Sequence, residues 1–309
     1  MIEVKDLEKK IGENVILDKI SFTVNKGEIV GFLGPNGAGK STTMKIITTF
    51  WTQNAGEIII DGLDGLVEPI KVRRKIGYLP ENVPLYEDML VSEYLTFVAE
   101  TRSIPKIEIR EKVLLAAHKC GLEKVLNRPI DELSKGFRQR VGLAQAIIHD
   151  PEILILDEPT TGLDPNQIVE IREVIKNLGK EKTVIFSTHI LSEVSATCDR
   201  VIIINNGKIV GEGTPADLAA RAANKELLYV KLKGVKEVIE NKLKNLANVE
   251  ALKLVDTDSV DVFGYTIESK ENIDIRPELT RLILDSGWAL LEINKKTVSL
   301  EDVFRELTK

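Results

Sequence analysis

Gly34-Pro35-Asn36-Gly37-Ala38-Gly39-Lys40-Ser41-Thr42 satisfies the phosphate-binding pattern G-x-x-x-x-G-K-[ST] at every fixed position. The run follows the apolar stretch Glu28-Ile29-Val30-Gly31-Phe32-Leu33, which reads as a buried strand, and a helical pattern continues from Ser41 to Thr49. That context decides the reading, because such a loop works only between a strand end and a helix start. Glycines let backbone N–H groups turn around phosphate oxygens, and the helix start adds unpaired donors and the positive end of its dipole. Lys40 is placed to reach the β- and γ-phosphates, and the Ser41 hydroxyl to ligate Mg²⁺. The sequence therefore predicts a nucleotide site on an α/β fold.

Composition sets the outer bounds. A chain of 309 residues favours two domains over one. With 43% hydrophobic and 29% charged residues it reads as an ordinary globular protein. Cys120 and Cys198 are far apart, which excludes a disulfide framework and a cysteine metal site. The start, Met1-Ile2-Glu3-Val4-Lys5-Asp6, lacks the apolar core of a signal peptide. Apolar runs such as Ile153 to Leu156 and Val201 to Ile204 are strand-sized, far short of the ~20 residues a spanning helix needs. A net charge of −6 argues against nucleic acid as a partner.

A second motif lies downstream. Ile153-Leu154-Ile155-Leu156-Asp157-Glu158-Pro159 is an apolar run closed by two carboxylates, the pattern of a central parallel strand whose C-terminal end faces the ligand. Asp157 is expected to hold Mg²⁺ and Glu158 to polarise a water aimed at the γ-phosphate.

Three further segments subdivide the class. Leu133-Ser134-Lys135-Gly136-Phe137-Arg138-Gln139-Arg140 precedes a helix and resembles the ABC signature Leu-Ser-Gly-Gly-Gln. Thr161-Gly162-Leu163-Asp164-Pro165 resembles the D-loop, and Ser187-Thr188-His189 after the strand Thr183 to Phe186 resembles the switch-histidine segment. Gly77-Tyr78-Leu79-Pro80-Glu81 falls where the Q-loop belongs. In this order and spacing, residues 1–215 resemble the ATPase subunit of ABC transporters. Taken singly, Ser134 is also a helix cap, Asp164-Pro165 an ordinary turn pair and His189 an ordinary strand-end histidine.

The resemblance implies a P-loop NTPase fold: a RecA-like core sheet, an N-terminal antiparallel β subdomain and an inserted helical subdomain at about 83–150, within an ATP-binding domain over 1–218. It implies ATP and Mg²⁺ as ligands, with Gly34 to Thr42 around the phosphates and Ser41, Asp157 and Glu81 near the metal. Glu158, His189 and Lys40 become the catalytic set. Ser134, Gly136 and Asp164 are expected to complete the site of a second copy, so that two ATP molecules are sandwiched head to tail and the clamp opens on ADP. The implied partner is a separate permease of about six membrane-spanning helices. The ATPase itself would lie at the cytoplasmic face, peripheral, and touch the membrane only through that permease, with Pro84-Leu85-Tyr86 near the contact.

Two positions depart from the family pattern. Ile11, in Leu7-Glu8-Lys9-Lys10-Ile11-Gly12, stands where a tyrosine usually stacks on adenine. It keeps apolar cover but loses π-stacking, worth ~1–3 kcal/mol per base in single-stranded nucleic-acid complexes, so appreciable GTP use is expected. Glu81 stands where glutamine is usual. The extra charge is expected to strengthen metal binding and leave switching intact.

Beyond the Asn205-Asn206-Gly207 turn and an Ala-rich helix from Pro215 to Asn224, residues 225–309 change pattern. Strand 227–232, helix 235–246, strands 251–255 and 260–267, helix 276–286 and strand 288–294 give a β-α-β-β-α-β order, that of a small ferredoxin-like α+β domain. Its end, Val298-Ser299-Leu300-Glu301-Asp302-Val303-Phe304, resembles the tail of ATPases from gliding-motility and drug-efflux exporters. The alternative is a soluble, non-transporting ABC ATPase. Repair-type members carry a coiled-coil insertion, absent from 83–150, and translation-type members carry two cassettes. A GTPase is disfavoured because no Asn-Lys-x-Asp motif occurs.

Overall fold

The computed structural model describes residues 1–218, 227–270 and 273–296, with Phe304, Leu307 and Thr308. The chain divides into two compact units, one on Met1–Pro215 and one on Ala216–Leu307.

The first unit carries two sheets. An antiparallel sheet of order β2-β1-β4-β5 is formed by β1 (Ile2–Ile11), β2 (Asn14–Val24), β4 (Ala55–Ile60) and β5 (Leu63–Asp64). The other has the order β10-β9-β3-β8-β7-β6, from β3 (Ile29–Leu33), β6 (Ile76–Leu79), β7 (Ile153–Asp157), β8 (Thr183–Thr188), β9 (Arg200–Asn205) and β10 (Lys208–Gly213). β6 to β9 and β3 pair in parallel, and β10 is an antiparallel edge. Every residue of β3, β7 and β8 is buried: one face packs with Val141, Ile171 and Ile175, the other with Met44, Ile47 and the antiparallel-sheet residues Val4 and Phe22. The β9–β10 turn is a two-residue Asn206-Gly207 link with φ of 47° and 73°, the type I′ geometry this dipeptide favours.

Register positions the site. Leu33 pairs with Thr188, Asp157 with Ser187, and Leu79 with Leu156, so four strands end at one level. Helix α1 (Lys40–Ile47) starts from the loop after β3, one residue earlier than the sequence suggested and two residues shorter at its end. Helix α2 (Pro69–Lys75), which the sequence reading missed, precedes β6.

Between β6 and β7 the chain is helical: α3 (Val91–Thr101), α4 (Lys106–Cys120), 3-10 turns at Glu123–Val125 and Ile130–Glu132, and α5 (Lys135–Ile147). Leu95, Val98, Val113, Ala117, Val141 and Ala144 share one apolar core. Cys120 lies inside it, and burial pushes its thiol up to about 12, which makes it inert. Helices α6 (Pro165–Gly179) and α7 (Leu191–Thr197) flank β8 in sequence.

His149 follows α5. Its Nε2–H donates to the Ile76 carbonyl at 3.1 Å, and the buried Nδ1 has no partner among the described residues. Burial, reinforced by the charge of Arg102, lowers its pKa to about 4. The unfolded chain therefore binds the proton first, so stability is intact above the unfolded pKa of ~6.5 and is lost as pH falls toward 4. Between pH 7 and 4.5 this one group is expected to remove about 2 kcal/mol. Urea titrations of His149→Gln should show a shallower acid limb by that amount; an unchanged limb would exclude the ring as its source.

In the second unit, β11 (Leu227–Lys233), α8 (Lys236–Lys244), β12 (Val249–Ser259), β13 (Val262–Ser269), α9 (Arg276–Ser286) and β14 (Ala289–Lys296) follow one another. The sheet order is β12-β13-β11-β14 with every neighbour antiparallel, the split β-α-β arrangement of a ferredoxin-like sandwich. Leu228, Val230 and Leu232 alternate toward Ile239, Leu243, Leu279 and Ile283, and form a core separate from those of the first unit. Strand β12 runs from two residues before to four residues after the span read from sequence. The expected helix to Asn224, from residue 219 on, and the tail segment up to Val303 lie outside the described residues.

Candidate functional site

A cavity of about 430 Å³ opens at the C-terminal ends of β3, β7 and β8. Asn36, Gly37, Gly39, Lys40, Ser41 and Thr42 form one wall, Glu158, Thr161 and His189 another, and Ile11, Ile16 and Glu81 the rim. The loop backbone is specified by its glycines. Gly39 has a φ of 107°, and a Cβ there would lie 2.6 Å from Leu17 Cδ2. At Gly34 a Cβ would sit 2.4 Å from the Ile204 carbonyl oxygen, so the chain passes too close to β9 for any side chain. Ala38 is buried beneath the loop, and Lys40 folds back to donate to the Gly34 and Pro35 carbonyls at 2.8 and 3.2 Å.

The carboxylates arrive on β7. Glu158, just past the strand, has a φ of 48°, a left-handed conformation that costs an ordinary side chain about 1–2 kcal/mol. Its buried side chain uses both oxygens. Oε1 lies 3.2 Å from Lys40 Nζ, while Oε2 accepts from His189 Nδ1–H at 2.9 Å and from Thr161 Oγ1 at 3.1 Å. The contact selects the His189 tautomer protonated on Nδ1. His189 is half-exposed, its imidazole edge open to the cavity.

Asp157 is buried beneath the cavity floor, where Ser41 Oγ donates to its Oδ1 at 3.0 Å and Ser187 Oγ at 2.6 Å. Burial raises its pKa, the charges of Glu81 and Glu158 act in the same direction, and the two hydroxyls oppose them. A hydroxyl and a carboxylate so placed are hard oxygen donors. Such a set suits Mg²⁺, which takes few protein ligands and draws the rest from phosphate and water. Among the described residues, no group of three or more His, Cys, Asp or Glu is placed to hold a metal without such outside ligands.

Ser187 is a site residue that sequence reasoning quoted but gave no role. Its hydroxyl donates to Asp157 and accepts from the Glu158 N–H at 2.9 Å, and so ties the Asp157 carboxylate and the Glu158 backbone to β8. The signal for it was its place beside Asp157 in the parallel register, which sequence alone does not supply.

Gly34, Pro35, Ala38 and Asp157 support the cavity without lining it, and three further expected residues lie away from it. Ser134 caps α5, accepting from Phe137 N at 3.4 Å, and Gly136 is packed against the Gln167 side chain. Asp164 caps α6, its Oδ1 accepting from Gln167 N at 3.0 Å. One chain thus presents a phosphate-loop cavity and a separate exposed serine at the start of a helix.

A glycine-lined loop ending in Lys-Ser, opposed by two carboxylates and a histidine at parallel strand ends, defines a P-loop nucleoside triphosphatase. This chain belongs to the ABC transporter ATP-binding proteins: the family model described as "ABC transporter" matches residues 17–161. The linearmycin resistance ATP-binding protein LnrL of Bacillus subtilis (strain 168) is 33% identical over 315 residues, spanning 100% of this chain and 98% of that protein. Among solved structures, an ATP-binding subunit of an ABC transporter superposes with a TM-score of 0.65 at 33% identity, covering 72% of this chain and 93% of that one. A dimeric ATP-binding cassette in a post-hydrolysis state with ADP and Pi superposes with a TM-score of 0.64 at 28% identity, covering 69% and 98%. The protein binds and hydrolyses ATP as the nucleotide-binding subunit of an ABC transporter. Among the described residues no helix is long and apolar enough to cross a membrane.

Proposed function

We propose that this chain drives export of a substrate through a separate membrane permease, as a head-to-tail homodimer that closes on two ATP molecules. The observation that carries the proposal is a separation: phosphate loop, carboxylates and histidine meet in one cavity, while Ser134 starts a helix away from it, and in this reading that helix start is a second anion-binding end. A related ATP-binding cassette forms a dimer, and the relative named for linearmycin resistance favours an exporter.

In this reading the β- and γ-phosphates lie on the loop N–H groups and Lys40. Ser41 and Asp157 hold Mg²⁺, which when bound neutralises charge on the phosphate oxygens. Glu81, on the cavity rim, adds a carboxylate on the metal side. A triphosphate competes with Glu158 for the Lys40 ammonium, which leaves Glu158 Oε1 for the attacking water. Glu158 takes the water's proton on that oxygen, and His189 steadies the γ-phosphate. Ser134 and Gly136 of the second copy close over the same phosphate, with Asp164 bracing the contact.

The test is Ser134→Arg. A guanidinium at that helix start obstructs the partner's phosphate without touching the chain's own cavity. Binding of fluorescent ATP to the variant should stay within about threefold, while steady-state phosphate release falls about 100-fold or more. Normal turnover by this variant would refute the shared site.

The base lies against Ile11 and Ile16 at the rim, both aliphatic. Purine discrimination is therefore expected to be weak, with kcat/KM for GTP within about tenfold of that for ATP. Ile11→Tyr should tighten ATP by about 1 kcal/mol, the low end of base–aromatic stacking. Sharp adenine preference in the unmodified protein would count against this reading.

A further inference from the structure

His189 stands on a two-residue link, His189-Ile190, between β8 and α7, and the structure shows what holds that link. Glu193, in the first turn of α7, is 1% exposed, yet no cation pairs with it among the described residues. Its Oε2 accepts from Thr188 Oγ1 at 2.7 Å, and its buried Oε1 has no hydrogen-bond partner there. The same Thr188 hydroxyl accepts from the Ile190 N–H at 3.0 Å, so Thr188 and Ile190 are bound across His189. The Thr188 backbone carbonyl accepts from the N–H of Gly34, the first residue of the phosphate loop, at 3.3 Å. Thr188 therefore touches the His189 loop with its side chain and the phosphate loop with its backbone.

A buried carboxylate with one idle oxygen is costly to keep, since that oxygen has given up its hydration with no hydrogen bond in return. A helix of ordinary packing would place a leucine there. We infer that Glu193 is a positioning residue for ATP hydrolysis: through Thr188 it fixes the backbone on both sides of His189 and so aims the imidazole at Glu158 and the γ-phosphate. This inference rests on the proposed role of His189.

The expected result follows from the geometry. Misplacing a reacting group by about 1 Å costs on the order of 100-fold in rate. Glu193→Ala should lower kcat for phosphate release about 10- to 100-fold and leave KM for ATP within about twofold, because the phosphate loop keeps its own contacts. In Glu193→Gln the amide oxygen still accepts from Thr188, so kcat should return to within about threefold of the parent. Thr188→Val removes the same bond from the other side. It should lose as much as Glu193→Ala, and the double variant no more than either alone.

In a His189→Ala background Glu193→Ala should have no further effect. If Glu193→Ala fails to fold, Thr188→Val reads the same contact in a chain whose buried carboxylate is kept. Parental kcat in Thr188→Val, or additive losses in the double variant, overturns the inference. Full turnover by His189→Ala alone would instead overturn the role of His189. A dead His189→Ala beside an active Thr188→Val would sink only the positioning role.

Discussion

Glu158→Gln is expected to lower steady-state phosphate release at least 100-fold while ATP binding is retained. The size follows from the role: a positioned general base contributes about 10²–10⁴-fold, and the amide cannot take a proton at neutral pH. Binding survives because Glu158 is not needed to hold phosphate. The loop glycines, Lys40 and Ser41 form their wall independently, and the amide oxygen still accepts from His189 and Thr161. Loss of the Lys40–Glu158 ion pair should even favour the triphosphate, which no longer competes for the ammonium. Single-turnover quenched-flow separates the two steps. A variant that binds ATP poorly, or turns over within tenfold of the parent, removes Glu158 as the base.

Lys40→Met is expected to act on both binding and stability. Hydrogen bonds to a charged group contribute about 1.5–3 kcal/mol, so ATP affinity should fall about 10- to 100-fold. The same change strips the cation from Glu158, whose side chain is 7% exposed. Breaking a buried pair costs about 3–5 kcal/mol, and the surviving contacts of Oε2 with His189 and Thr161 reduce this to roughly 2–3 kcal/mol. Without added nucleotide the melting temperature should drop by about 4–10 °C. Lys40→Met/Glu158→Gln removes the orphaned charge and should regain most of that loss without regaining ATP binding. Equal melting of the single and double variants would show that the ion pair carries no weight in the fold.

These two results depend on features of different legibility. The phosphate loop could be read directly, because its function needs contiguous glycines, a lysine and a serine between strand and helix. Asp157 and Glu158 were legible because a buried parallel strand has to be apolar up to its ligand end. The Lys40–Glu158 pair, the Ser187 bridge and the Glu193–Thr188 bond were not. The first two join residues whose proximity is set by strand order, with β8 lying between β3 and β7, and periodicity does not encode strand order; Glu193 and Thr188 lie five residues apart and meet only because the chain turns from β8 into α7. The Thr161 hydroxyl reaches Glu158 three residues back because the chain turns through a left-handed Glu158, a local geometry the motif does not spell out. Helix α2 escaped notice because Pro69-Ile70-Lys71-Val72-Arg73-Arg74-Lys75 buries only Val72, too little for an apolar stripe. In the second unit the alternation of Leu228, Val230 and Leu232 gave away a strand, whereas the central position of β11 rests on pairing with β13 and β14.

The account stands on ATP joining two chains, each closing the other's phosphate site with the Ser134 helix start. Light scattering on Glu158→Gln, with saturating Mg²⁺ and ATP and then with ADP, reads this directly. Each chain has a mass of 34.4 kDa. The measurement should give twice that mass with ATP and a single chain with ADP, and Ser134→Arg added to Glu158→Gln should abolish the doubling. A species of one chain's mass at saturating ATP would contradict the account.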